Sequence, residues 1–276
     1  MFAFRRLRRV TVACLALLVG ACVCIGAFAL FDGIVWPHAD GDKVREKGSL
    51  TLDLSNASDG YVMARREESS SQAKLRIEKG GSTYTYDLNG EGDYEVFPLQ
   101  MGSGSYTCTL YKNVKSNKYS KEAEVSFDVE LSDKYAAFLC PSQYVNYTED
   151  SPAVQKSEEI CAGLQTDAEK LQAIRDFMTS SFVYDFVRAT TIKSFYLGDV
   201  DECFETRMGL CQDIAVVAAC MLRVQGIPTQ LVIGYANNIY HAWNNVLIDG
   251  EYQRVDITLE IGGIAKNCVY TPERYY

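Results

Sequence analysis

Met208-Gly209-Leu210-Cys211-Gln212-Asp213-Ile214-Ala215 opens the run that decides how the second half of this chain is built. From Cys211 onward, Ile214, Val217, Ala218, Met221 and Leu222 recur at helical spacing. The run therefore predicts a helix with one broad apolar face, and Gly226-Ile227-Pro228 stops it. Cys211 falls in the first turn, where unpaired amides and the helix dipole favour a negative charge. A nucleophilic cysteine needs such a place, because the thiolate is the attacking species. Cys220 lies deep in the same apolar helix, where a thiol is expected to stay neutral and inert. Asp213, also in the first turn, reads as a residue that starts and caps the helix.

Outward from this helix, three strand-like runs follow: Thr229–Tyr235, His241–Ile248 and Tyr252–Thr258. Asp249-Gly250 is a two-residue hairpin signal between the last two. If those two residues form the loop, Ile248 faces Glu251, and facing positions sum to 499. Asp256 then lies opposite Trp243, and His241 is its diagonal neighbour on one side of the sheet. A carboxylate so placed can orient one imidazole nitrogen and leave the other free to face a thiol. His38 is the only other histidine and lies in a polar stretch near the N-terminus, so imidazole chemistry in a folded region falls to His241. Upstream, Thr166-Asp167-Ala168-Glu169 fits a capping box. The helix it opens runs to about Ser180, with Leu171, Ile174, Phe177 and Met178 on one face. Helices followed by a strand meander make an α+β domain.

These words, read together, resemble the transglutaminase-like superfamily. The resemblance rests on Met208–Ala215, on Leu222-Arg223-Val224-Gln225-Gly226-Ile227-Pro228-Thr229, on Val232-Ile233-Gly234-Tyr235, on His241-Ala242-Trp243, and on Val255-Asp256. It covers about Ser132–Thr258, in the order Cys, His, Asp. It implies a papain-like core, with a helix-borne thiol packed on an antiparallel sheet. It also implies a triad with Cys211 as nucleophile, His241 as base and Asp256 as orienter. The chain looks like those secreted or surface-attached bacterial proteins that carry a β-rich region upstream of this core. Where family members read Asp-Pro, Ile257 follows Asp256. The backbone amide of Cys211 is a natural oxyanion donor, with Tyr196 as a weaker candidate for a second.

The upstream half reads differently. From Ser49 to about Leu131, short alternating runs such as Leu50–Leu54, Tyr84–Tyr86, Tyr106–Tyr111 and Val125–Val129 are separated by turn residues. That is the pattern of a small β-sandwich, with no histidine in it and no chemistry of its own. A spacer or docking module is the expectation. Residues 32–48 are polar and read as a linker. Arg5, Arg6, Arg8 and Arg9 precede Val10–Phe31, 22 residues without a charge and long enough to span a bilayer. Residues 1–31 thus form a signal anchor, or a lipoprotein signal, since Val19-Gly20-Ala21-Cys22 resembles a lipobox. Either places the remainder, with 132–276 as the transglutaminase-like domain, on the outer face of a membrane.

Charge and cysteines bound the function. The 276 residues carry 27 Lys+Arg against 36 Asp+Glu. Setting the four leader arginines aside leaves 23 basic residues against 36 acidic and a net charge of −13. So acidic a chain, with no basic stripe, is not expected to bind nucleic acid. Seven cysteines lie beyond the leader: Cys108, Cys140, Cys161, Cys203, Cys211, Cys220 and Cys268. They admit one reactive thiol with up to three disulfides, or several buried free thiols. Cys203, Cys211, Cys220 and His241 lack the paired short spacing of a zinc site, and no cofactor is expected. The expected function is acyl transfer through a thioester on a peptide or protein at the cell surface. Water as acceptor makes a peptidase or amidase, an amine makes a cross-linker, and the abundance of water outside a cell favours hydrolysis. A non-catalytic surface module is the remaining alternative.

Overall fold

The computed structural model describes residues 34–192, 196–263 and 268–276. The apolar segment Val10–Phe31 and the lipobox lie outside the described residues. Among the described residues no helix is long and apolar enough to cross a membrane.

Alternation of apolar and polar residues builds the first half. Strands β1 (Val44–Lys47), β2 (Leu50–Asp53), β3 (Tyr61–Arg66) and β6 (Glu95–Pro98) form one antiparallel sheet in the order β1-β2-β3-β6. Strands β4 (Ala73–Lys79), β5 (Ser82–Leu88), β7 (Gly104–Lys115) and β8 (Lys118–Val129) form a second, ordered β5-β4-β7-β8. Leu50 and Leu52 of the first sheet share one buried core with Leu75, Ile77 and Tyr106 of the second, which makes the region a two-sheet sandwich. The first strand begins inside the stretch read as a linker. Val44–Lys47 pairs with Leu50–Asp53 across Gly48, whose φ of 58° suits a tight reversal.

After the sandwich, helices α1 (Pro152–Cys161) and α2 (Asp167–Ser181) precede a short parallel pair, β9 (Val183–Tyr184) with β10 (Met208–Gly209). Thr166 caps α2 as its spacing required: its hydroxyl accepts from the Glu169 amide, and the Glu169 carboxylate accepts from the Thr166 amide. Between β9 and β10 lie α3 (Phe186–Ala189) and α4 (Val200–Thr206). Helix α5 (Cys211–Arg223) is buried along nearly its whole length and packs on strands β11 (Thr229–Ala236) and β12 (Ile239–Ile248). Those two belong to an antiparallel sheet ordered β13-β12-β11-β14, with β13 (Glu251–Val255) and β14 (Tyr270–Tyr275) at its edges. The mixed α and β fold with antiparallel sheets matches the expected class.

Two details depart from the sequence reading, and a third decides between its alternatives. The third run ends as a strand at Val255, and Ile257–Ile261 is instead a short helix, α6. Asp256 stands at its N-cap and accepts a hydrogen bond from the Leu259 amide at 3.0 Å, so a helix start replaces the strand continuation. Strand β14 was not foreseen. The seven cysteines are all free, five of them buried, which selects the buried-thiol reading over disulfides.

Candidate active site

Helix α5 brings Cys211 to its position through a crowded start. Gly209 ends β10, and a methyl group added there would stand 2.6 Å from Asp213 Cβ and 2.8 Å from Cys203 Sγ. Only glycine lets the chain pass so close to the first turn. Asp213, 1% exposed, accepts from the Leu210 amide at 2.8 Å, the capping role its position suggested. Its other oxygen accepts the Tyr196 hydroxyl proton. Burial raises the Asp213 pKa against the pull of the Leu210 amide and of Arg188, whose guanidinium is 3.7 Å away. Tyr196 therefore spends its hydroxyl on Asp213, which argues against the weak oxyanion role considered for it.

The β12–β13 hairpin follows the predicted register. Ile248 pairs with Glu251 and Asn244 with Val255, each pair summing to 499, and Asp249 and Gly250 both take positive φ, 52° and 83°, as a two-residue hairpin loop demands. His241 and Asp256 consequently meet. His241 Nε2 lies 2.8 Å from Asp256 Oδ2, with both residues buried. A carboxylate can only accept, so Nε2 carries the proton. Cys211, half-buried, stands close enough to the same imidazole for its sulfur to favour the protonated ring. Burial alone would lower the His241 pKa. The hydrogen bond to Asp256 and the nearby Cys211 sulfur outweigh it and push the value up to about 10.

One partner was not read from the sequence. Tyr270, on β14, donates its hydroxyl to Asp256 Oδ2 at 2.8 Å, the same oxygen that His241 holds. Burial, then this hydrogen bond, raises its pKa, so it remains a donor. Its ring is set edge-on to Trp243 at 4.9 Å and lies under the Arg254 guanidinium at 3.9 Å. Pro272 obscures this strand in the sequence. Proline is excluded from central strands, but β14 is an edge, and its register shifts between Ile233 and Gly234, beside Pro272. Among the described residues no group of three or more His, Cys, Asp and Glu side chains is placed to hold a metal ion.

A model of the transglutaminase-like superfamily matches residues 154–257. The chain carries a transglutaminase-like domain. The matched span runs from α1 through α5 and the three consecutive strands to Asp256 and Ile257, so Cys211, His241 and Asp256 all lie within it. Among curated proteins none matches the chain. Solved structures similar to it include a candidate cysteine protease from Cytophaga hutchinsonii, 14% identical over 85% of this chain and 90% of that one, with a TM-score of 0.40. A candidate protease from Parabacteroides distasonis is 11% identical, with 75% and 63% covered and a TM-score of 0.36. Red sea bream transglutaminase is 13% identical, with 75% and 49% covered and a TM-score of 0.31. In the transglutaminase-like domain of this chain, Ile257 takes the first helical position after the capping Asp256. Proline is also favoured at that position, so the missing Asp-Pro step leaves the cap intact.

Proposed function

We propose that this protein is a thiol enzyme of acyl transfer that hydrolyses peptide or amide bonds on the outer face of a membrane. One observation carries the reading: a half-buried thiol at a helix start stands close to an imidazole that a buried carboxylate holds through Nε2. In this mechanism the Cys211 sulfur bonds to the carbonyl carbon, and the Cys211 amide is a natural donor to the developing oxyanion. The C–N bond then breaks, and the amine leaves with a proton from His241. Water next gives a proton to His241 and its oxygen to the acyl group. Acid is released, and the sulfur returns to its starting state. Asp256 fixes the ring and stabilises the imidazolium throughout. With an amine in place of water the same thioester would yield a cross-link. The apolar segment Val10–Phe31 would hold the enzyme at the membrane.

The test is a turnover assay on peptide libraries, with and without a primary amine, read by mass spectrometry. Cys211→Ala and His241→Ala should each abolish turnover. Asp256→Asn should cost less, because asparagine still accepts from the ring and still caps α6. Double variants should be no worse than Cys211→Ala alone, as members of one catalytic unit are not additive. Retention of activity by His241→Ala on a substrate that Cys211→Ala cannot process would refute the assignment.

A further inference from the structure

A cleft of about 680 Å³ opens where the sandwich meets the segments that follow it, and none of Cys211, His241 and Asp256 lines it. Its walls come from β3 and β6 of the sandwich, from residues 141–149 and from the turn 197–199, and Trp36 and Pro37 complete them. Trp36, one of two tryptophans in the chain, is half-buried and meets the Tyr147 ring edge-on at 5.9 Å. Tyr94 adds a second half-buried ring. The carboxylates of Glu95, Glu149 and Asp199 line the same cleft, and among the described residues no lysine, arginine or histidine does so.

Other acids of this chain have basic neighbours: Asp87 lies 2.6 Å from Lys74, and Glu159 lies 2.7 Å from Lys156. Glu95, Glu149 and Asp199 have none at ion-pair distance among the described residues. Glu95 accepts from the Asn89 amide at 2.7 Å, yet burial still raises its pKa, as expected of a carboxylate short of compensating charge. Charges of one sign gathered in a cleft concentrate the opposite ion, and aromatic faces attract a cation through their quadrupole. Tyr94 does so within the chain, where the Arg65 guanidinium stands 5.1 Å from its ring centre. A metal ion does not fit, because no group of three His, Cys, Asp or Glu side chains among the described residues is placed to hold one. The volume instead suits an organic body. A neutral sugar could stack on the rings but would leave the carboxylates uncompensated. We infer that this cleft binds an extended organic cation, with ammonium or guanidinium groups for the carboxylates and an apolar stem for the rings. Two sources present that chemistry, a free polyamine and the side chains of a basic peptide. The site stands apart from the thiol-enzyme reading, since no residue of the triad lines it.

Titration calorimetry on the full chain compares spermine, a blocked Lys-Ala-Arg peptide, its Glu-Ala-Glu counterpart and maltotriose. At least one of the two cations should bind saturably, at least about tenfold more tightly than the acidic peptide or the sugar, and the tighter of the two names the source. Glu95→Gln with Glu149→Gln keeps the shape of the cleft and should weaken that binding by at least about tenfold. Trp36→Ala removes a ring and no charge, and should weaken it by about threefold or more. Glu46→Gln with Glu130→Gln removes the same charge from exposed positions outside the cleft, and should leave binding within about twofold. Should the first glutamine pair lower the melting temperature, Trp36→Ala carries the test alone. Equal weakening by the two glutamine pairs would reduce the binding to net charge and overturn the site. Maltotriose bound as tightly as the cations would give the cleft to a neutral sugar instead. Cation binding that survives in a folded cleft variant, or no saturable binding of either cation, would overturn the inference as well.

Discussion

At the residue scale, His241 sits between opposing effects, and their balance has a sign that can be measured. Burial disfavours the imidazolium, but the carboxylate of Asp256 and the sulfur of Cys211 favour it more, and its pKa rises to about 10. The unfolded chain has the ordinary histidine value near 6.5. The native state thus binds the proton more tightly, and the stability gained is fully present below about pH 6.5 and is lost as pH rises through about 10. The melting-temperature gap between the wild-type protein and His241→Gln should narrow between pH 6 and pH 10.5; a constant gap would show that the imidazolium is not favoured in the fold. Tyr270 acts one step further out. Tyr270→Phe keeps the ring against Trp243 and Arg254 but removes a donor from Asp256. A lost hydrogen bond to a charged group predicts a fall in kcat of about tenfold, near 1.4 kcal/mol. The less satisfied carboxylate should pull harder on the imidazolium, so the alkaline limb of the pH–rate profile should move upward. A tyrosine that only packs would leave that limb where it was.

At the element scale, the start of α5 is closely packed. Gly209→Ala places a methyl group within 2.8 Å of both Asp213 Cβ and Cys203 Sγ, so either β10 or the first turn must shift. Such overpacking costs about 1–3 kcal/mol. Alkylation of Cys211 by iodoacetamide should slow along with the fall in melting temperature, because the turn that presents the thiol is the part displaced. Alkylation at the wild-type rate in a destabilised variant would separate the glycine from the site. Helix α5 and the β12–β13 hairpin were legible in the sequence for local reasons. Apolar residues at helical spacing end at Gly226 and Pro228, and Asp249-Gly250 fixes a two-residue loop from which every pairing follows by parity. Strand β14 and helix α6 were not legible. The partner of β14 is β11, more than thirty residues earlier, and Pro272 breaks the local strand signal. Helix α6 has only five residues, too few for a period to emerge, and its one sign is the capping side chain of Asp256. Because that side chain was assigned to His241, its second oxygen went unread. It caps a helix with one oxygen and holds the imidazole with the other.

At the scale of the whole molecule, the last strand and one buried arginine join the two halves that the composition separates. Tyr276 lies edge-on to Tyr84 of the sandwich at 5.5 Å and stacks on Tyr144 at 3.7 Å, while Arg274 donates to the Thr83 carbonyl at 2.6 Å. Arg223, at the end of α5, has no exposed surface. Its guanidinium donates to the Thr229 carbonyl at 2.9 and 2.8 Å, to Cys140 at 2.5 Å and to Tyr276 at 2.9 Å. It therefore ties the helix that bears Cys211 to β11, to the segment leaving the sandwich and to the residue after β14. Burial lowers its pKa, yet carbonyl dipoles on several sides compensate the charge. Arg223→Met fills much of the same volume and removes every donor, leaving the buried carbonyls of Thr229 and Cys140 short of partners, while the Tyr276 oxygen keeps the Leu231 amide. At about 1 kcal/mol or more for each, the loss should reach about 2 kcal/mol and lower the melting temperature by roughly 4–8 °C. Since Cys140 packs with Tyr61 and Met63 of the sandwich and Tyr276 lies against Tyr84, the sandwich and the transglutaminase-like domain should lose stability together, in one calorimetric transition shifted downward. Buried charges are sometimes replaced by apolar groups without loss. A variant as stable as the wild-type protein, or one whose sandwich melts unchanged while the other half melts early, would show that Arg223 does not join them.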